Sequence, residues 1–317
     1  MDNLTHSLIG AALGQASLKR KTGLAMPALI IAANLPDIDA ACFFWLDGTE
    51  HLGFRRGITH GPIAMALLPL LLAGALWGYD RWQAQRGTRP EVRLPVRFGW
   101  LLGLSVIGCL SHPLFDWFNN YGVRFLEPFS SQWFYGDVLF IIDPWIIAAL
   151  GGAIWLSRRR ERGGNNTWSR PTRTAGLWVS LYIAFNFAFS YLMVHDLQYD
   201  GPSEKVANPV PIAFWRREVL WRDEGWMDQP QRRETYGKYD YSLFGGEIAS
   251  SEVRHGPTNM TDPRIAQWAK GDAQAEAFLF WSRMPVAQVG PKGILLKDQR
   301  FLDIPTRGPF TVELKPR

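Results

Sequence analysis

Four histidines and several carboxylates recur beside apolar stretches of this chain. His6 opens one apolar segment, His60 precedes another, His112 closes a third and His195 closes a fourth. Between them stand Pro36-Asp37-Ile38-Asp39, Asp116, Asn119, Asn120, Asp137 and Asp143. Neutral imidazoles with carboxylates make a donor set for zinc, iron or manganese, and carboxylates can bridge two ions. His112 and Asp116 are four residues apart, so a helix that continues through Pro113 turns both toward one ion. Asp37 and Asp39 follow a proline in a turn, where one carboxylate could ligate and the other hold a ligand imidazole. Ionisable groups at membrane depth are expensive, so a layer of them is a functional signal. Each also has a plainer role: Asp37 as a helix cap, Asp116 as a partner of Arg124, Thr5 and His6 as a polar helix terminus, and His195 as an interfacial residue. His51 and His255 read as surface residues.

The elements that must position these groups are apolar. Gly61–Tyr79, Phe98–Cys109 continuing toward Phe115, Val138–Leu156 and Thr174–Val194 read as four membrane spans. Leu4–Leu18 and Leu24–Leu35 are shorter than a ~30 Å hydrocarbon core requires, and are expected to be tilted, re-entrant or shielded. The expected architecture is an α-helical transmembrane bundle of four spans plus two short N-terminal hydrophobic segments, followed by a small α+β extramembrane domain. The expected division is 1–198 and 199–317. A mean hydropathy of -0.10 averages these two materials and hides both.

Basic residues set the orientation. Lys19, Arg20 and Lys21, then Arg81 to Arg97, then Arg158 to Arg173 occupy alternate connections, which places those on the cytoplasmic side. The histidine layer and the polar region then face the periplasm. That distribution also accounts for the net charge of +5, and with no stacking platform evident no nucleic-acid partner is expected. In the polar region, Gly237–Phe244 and Phe310–Leu314 read as strands, Pro263–Arg283 as a helix, and Gly245-Gly246 as a turn. Phe278-Leu279-Phe280-Trp281 reads as sheet core or a membrane-contacting edge. Cys42 and Cys109, the only thiols, read either as a disulfide or as two small buried apolar groups.

Thr5-His6-Ser7, Pro36-Asp37-Ile38-Asp39, Arg56-Gly57-Ile58-Thr59-His60-Gly61 and His112-Pro113-Leu114-Phe115-Asp116-Trp117-Phe118-Asn119 together resemble, in order and spacing, the blocks of a bacterial inner-membrane family described as membrane-bound metal-dependent hydrolases. The resemblance covers roughly residues 1–200. More distantly, Asp39, His60 and His112-x-x-x-Asp116 look like the first part of the ligand set of zinc-dependent phospholipase C and single-strand nucleases. The resemblance implies His6, Asp39, His60, His112 and Asp116 as metal ligands, with Asp37, Asp143 and His195 as further candidates. No second His-x-x-x-Glu follows, so one or two divalent ions, zinc foremost, are expected over three. Asp37 or Asp39 would align or deprotonate water, and Arg56 would offset phosphate charge. A site at the membrane boundary favours membrane lipids, and a lipid or lipid-linked ester or phosphoester as substrate. The alternative is a non-enzymatic metal-binding, transport or structural protein, for which polar residues would continue along the helices. The middles of Ala64–Ala75 and Ile141–Ile154 are almost entirely apolar instead.

Overall fold

The computed structural model describes residues 1–195, 204–223, 234–244, 251–302 and 310–316, with 251–255 by backbone alone. It divides into two compact units, one made of Met1–Asp39 and Arg56–Phe187, the other of Ala40–Arg55 and Ala188–Arg317.

The first unit is helical. Asp2 caps α1 (Asn3–Gln15), its carboxylate accepting the Thr5 N–H at 3.0 Å. The short α2 (Ala25–Ala32) is bent by 50° from a 3-10 stretch, Leu35–Phe44, with which it makes one broken or re-entrant apolar pair. After α3 (Glu50–Phe54), which belongs to the second unit, come α4 (Pro62–Gln85), α5 (Phe98–Trp117), α6 (Pro144–Arg162) and α7 (Arg170–His195). Among the described residues α4, α5 and α7 are long and apolar enough to cross a membrane, or four spans result if the bent pair counts as one.

This corrects the expectation of four spans plus two short segments. Pro144 occupies the first turn of α6 and Asp143 caps it, accepting the N–H groups of Trp145 and Ile146, so the helix starts six residues after Val138. Val138 and Leu139 instead donate to the carbonyl of Phe118. The apolar part of α6 that remains before Arg158 is about 20 Å long at ~1.5 Å per residue, below the ~30 Å needed. At about 20 Å, α1 is short too. The short α2 is shielded: Ala25, Ala28, Leu29 and Ala32 are buried, with Ala73, Leu101 and Leu104 in the same core.

Small residues set the spacing of these helices, as in other membrane bundles. A Cβ on Gly10 would lie 2.6 Å from the Leu29 carbonyl oxygen, and one on Gly108 would lie 2.6 Å from the Ala32 Cβ. At the far ends the basic connections meet: Lys19 pairs with Glu161, Arg173 Nε donates to the Ala16 carbonyl at 3.0 Å, and Gly23 donates to the Pro95 carbonyl.

In the second unit, β1 (Glu204–Pro209), β2 (Arg216–Asp223), β3 (Thr235–Ser242) and β4 (Ser251–Pro257) form an antiparallel meander. Two helices, α8 (Pro263–Ala269) and α9 (Ala273–Trp281), precede a second antiparallel sheet of β5 (Pro285–Val289), β6 (Ile294–Asp298) and β7 (Thr311–Leu314). The single helix expected over Pro263–Arg283 is thus two, broken at Gly271 with its left-handed φ of 72° and restarted by the Asp272 cap. Phe278 and Trp281 lie on α9, not in a sheet, and are fully buried, whereas Phe280 is exposed. The segment Ala40–Arg55 packs on α9: Thr49 donates to the Gln274 carbonyl at 2.9 Å, and Gly53 lies against Ala277. His51 is buried, not superficial, its Nδ1 2.8 Å from the Gly48 carbonyl oxygen. The turn expected at Gly245-Gly246 and the side chain of His255 lie outside the described residues. Cys42 and Cys109 are both buried and no disulfide joins them.

Candidate metal centre

Four buried side chains from three separate stretches of chain meet at the end of the bundle opposite the basic connections. Asp37 lies in the 3-10 stretch after α2, His60 in the turn that feeds α4, and His112 and Asp116 in the last turns of α5. One donor atom from each can be chosen so that all four lie within 4.8 Å of one another. His112 Nε2 is 3.5 Å from Asp116 Oδ2 and 3.7 Å from Asp37 Oδ1, and His60 Nε2 is 3.4 Å from Asp116 Oδ2.

Hydrogen bonds behind the cluster aim its donors. His112 Nδ1 is 2.7 Å from the carbonyl oxygen of Ala33, which can only accept. The Nδ1 proton is therefore spent there, and the lone pair on Nε2 faces the two carboxylates. His112 Nε2 is buried with no hydrogen-bond partner, an expensive condition that a coordinated cation relieves. Two imidazole nitrogens and two carboxylate oxygens match the ligand chemistry of a zinc-class divalent ion. The residues present therefore fit the metal that the sequence implies.

The other sequence-identified residues fall around this core. His6 stacks on His112 with ring centroids 3.7 Å apart, and its Nε2 is 3.3 Å from Asp116 Oδ1. Asp116 thus touches three histidines through its two oxygens. Asp39 lies behind His60: its Oδ2 accepts the Arg56 N–H at 2.7 Å and the Thr59 hydroxyl at 3.0 Å, and is 3.6 Å from His60 Nδ1. Arg56 is buried with its Nε 3.1 Å from Asp116 Oδ2, its Nη1 donating to Asn119 Oδ1 and the Gly122 carbonyl, and its guanidinium over the Tyr121 ring. The amino group of Met1 also contacts Asp116, so this carboxylate draws cationic groups from two sides.

Two further candidates are engaged in other contacts. The Asp143 carboxylate caps α6 and accepts the Tyr182 hydroxyl at 2.9 Å. His195 is exposed at the end of α7, in the second unit, its ring stacked on Tyr191 and its Nδ1 2.9 Å from the Tyr191 carbonyl oxygen. Arg124 pairs with Glu127 at 2.8 Å, leaving Asp116 to Arg56. The Ala33 carbonyl and Thr59 carry positioning roles that sequence reasoning misses. A main-chain carbonyl has no residue-type signature, whereas Thr59 stands next to His60 in a block already singled out.

The family model for YdjM inner membrane proteins matches residues 1–193, a range that contains every residue of the cluster. No curated protein and no solved structure matches the chain.

Proposed function

The chain belongs to the family of YdjM inner membrane proteins, and from that premise we propose a metal-dependent hydrolase at the outer face of the inner membrane, acting on phosphoester or ester bonds of a lipid or lipid-linked substrate. The observation that carries the proposal is the buried convergence of Asp37, His60, His112 and Asp116. A bundle gains nothing in packing by burying two carboxylates and two imidazoles together, since each must be compensated at membrane depth.

In this reading Asp37, His60, His112 and Asp116 hold one ion, and His6, on the other oxygen of Asp116, extends the donor set toward a second. A bound zinc-class ion supplies Lewis acidity, polarising a phosphoryl or carbonyl oxygen and acidifying water. Asp39 accepts the Thr59 hydroxyl, whose oxygen lies 3.0 Å from His60 Nδ1, which suits the carboxylate to orienting that ring through Thr59. Asp37 is the better placed of the two to take a proton from water, with its Oδ1 facing His112 Nε2. Arg56 holds a fixed positive charge beside the cluster, suited to a phosphate oxygen.

Orientation follows from the basic connections at the opposite end of the bundle, which by the positive-inside tendency face the cytoplasm and turn the cluster to the periplasm. The testing experiment is elemental analysis of the purified chain together with hydrolysis of phosphatidylglycerol vesicles and soluble phosphoesters, before and after chelation and zinc return. One or two ions per chain, with turnover lost and restored in step, is the expected result. Turnover indifferent to chelation would overturn the proposal.

A further inference from the structure

We propose that an apolar groove between α1 and α7 seats one acyl chain of a bilayer phospholipid, with the headgroup end directed to the cluster. The headgroup part rests on the hydrolase proposal above; the chain part rests on the groove alone. The groove encloses about 440 Å³, within the range of small-molecule sites. Its walls are apolar, with Ile9 and Leu13 from α1, Phe115 and Phe118 from the end of α5, and Val179 and Ile183 from α7.

Its two ends differ. At one, Phe115 is the chain neighbour of Asp116, and Ile9 lies three residues along α1 from His6, so the groove begins at the level of the cluster. At the other, Arg173 crosses to α1, its Nε on the Ala16 carbonyl at 3.0 Å and its Nη2 on the Ser17 hydroxyl at 2.8 Å. From Thr172 to Ile183 the α7 wall rises by about 17 Å at ~1.5 Å per residue.

Continuity with the bilayer selects this occupant. Leu177 and Leu181, on the same helix, are 63% and 61% exposed, as lipid-facing residues are. Gly176 lines the groove, and a Cβ built on it meets no atom within 4 Å, so the wall is open where a side chain could have filled it. Lipid tails are as apolar as leucine, so the groove gains little by transfer. What it contributes is position, holding an ester or phosphoester at a fixed height beside the cluster.

The test uses the full chain in nanodiscs of phosphatidylglycerol carrying a trace of phosphatidylglycerol with a diazirine on one acyl chain. Crosslinks are mapped by mass spectrometry and zinc is counted in the same samples. Peptides covering 9–16 and 176–183 are expected to be labelled at least fivefold above the outward face of α4. Gly176→Leu and Val179→Trp are expected to lower that labelling fivefold or more with zinc content unchanged. Gly152→Leu, another glycine whose Cβ meets no atom within 4 Å but one outside the groove, should leave labelling as it was. Equal labelling of all helices, labelling indifferent to the filled variants, or crosslinks to a second copy of the chain would overturn the groove. Normal groove labelling with no chelator-sensitive lipid hydrolysis would remove the hydrolase proposal and leave the groove standing.

Discussion

The carboxylate of Asp39 accepts the backbone N–H of Arg56 at 2.7 Å, across a 16-residue excursion, Ala40–Arg55, that belongs to the other compact unit. Arg56 has a left-handed φ of 57°, a conformation non-glycine residues rarely adopt and one that surrounding contacts must hold. The Asp39 bond is one such contact, and the same oxygen accepts from Thr59 and lies 3.6 Å from His60 Nδ1. One carboxylate thus ties the return of the chain to the orientation of a metal-facing imidazole.

Asp39→Asn keeps the size of the side chain and removes its charge. We expect metal affinity to fall about 10- to 100-fold, the usual cost of losing a partner behind a ligand, with the helices intact by circular dichroism. Asp37→Asn removes a donor itself and is expected to lose more. Competition with a chelating dye measures both, and equal affinities in the two variants would count against separate roles.

The Ala33 carbonyl that fixes His112 is held by the close approach of α2 to α5. A methyl at position 108 would meet the Ala32 Cβ at 2.6 Å and the Leu29 carbonyl oxygen at 3.0 Å, so Gly108→Ala must push the two helices apart. Overpacking of this kind costs about 1–3 kcal/mol. Weaker zinc binding and a lower unfolding midpoint should appear together in that variant. Gly103→Ala, in open space on the same helix, serves as the control and should change neither.

How much of this was legible in the sequence depends on the kind of signal. His60, His112 and Asp116 stand out because titratable groups are costly beside apolar helices, and their convergence could be expected without coordinates. The choice between Asp37 and Asp39 could not be read, since two carboxylates two residues apart differ only in the turn that aims them. Asp143 and His195 share the residue types of ligands, but Asp143 caps a helix and His195 ends one at an exposed position. The apolar run Val138–Leu156 looks like a span because hydropathy cannot see that Pro144 and Asp143 delay the helix until half a leaflet of length is lost. Ala33 acts through its carbonyl, and no sequence pattern marks that.

Removing His112 separates ligation from packing. His112→Ala deletes the ring that stacks on His6 and donates to Ala33, so some loss of stability accompanies loss of metal. Thermal unfolding with and without zinc distinguishes the two effects. At free zinc 1,000-fold above its dissociation constant the wild-type chain is expected to gain about 4 kcal/mol by linkage. The variant is expected to gain little at the same concentration. A variant stabilised as much as the wild type would show that His112 is not a ligand.

In the second unit, Asp298 is buried and bonded on every side. It receives Arg300 through both oxygens, the Ser282 hydroxyl at 2.6 Å and the Met284 N–H at 3.3 Å. Burial alone would raise its carboxyl pKa, but the charge of Arg300 and the hydrogen bonds outweigh it and hold the group below the ordinary carboxylate range. A carboxylate depressed on folding stabilises the native state fully above its unfolded pKa of about 3.9, and that stability is lost as pH falls through the lower folded value. We therefore expect the second unit to hold its packing through mildly acidic pH and to lose it below about pH 4, followed by Trp281 fluorescence, since that ring lies beneath Arg300. Asp298→Asn leaves Arg300 buried without its counter-charge, at a cost of about 3 kcal/mol or more at neutral pH, and should flatten the acid limb of the profile. An unchanged acid transition in the Asn variant would show that other carboxylates govern it.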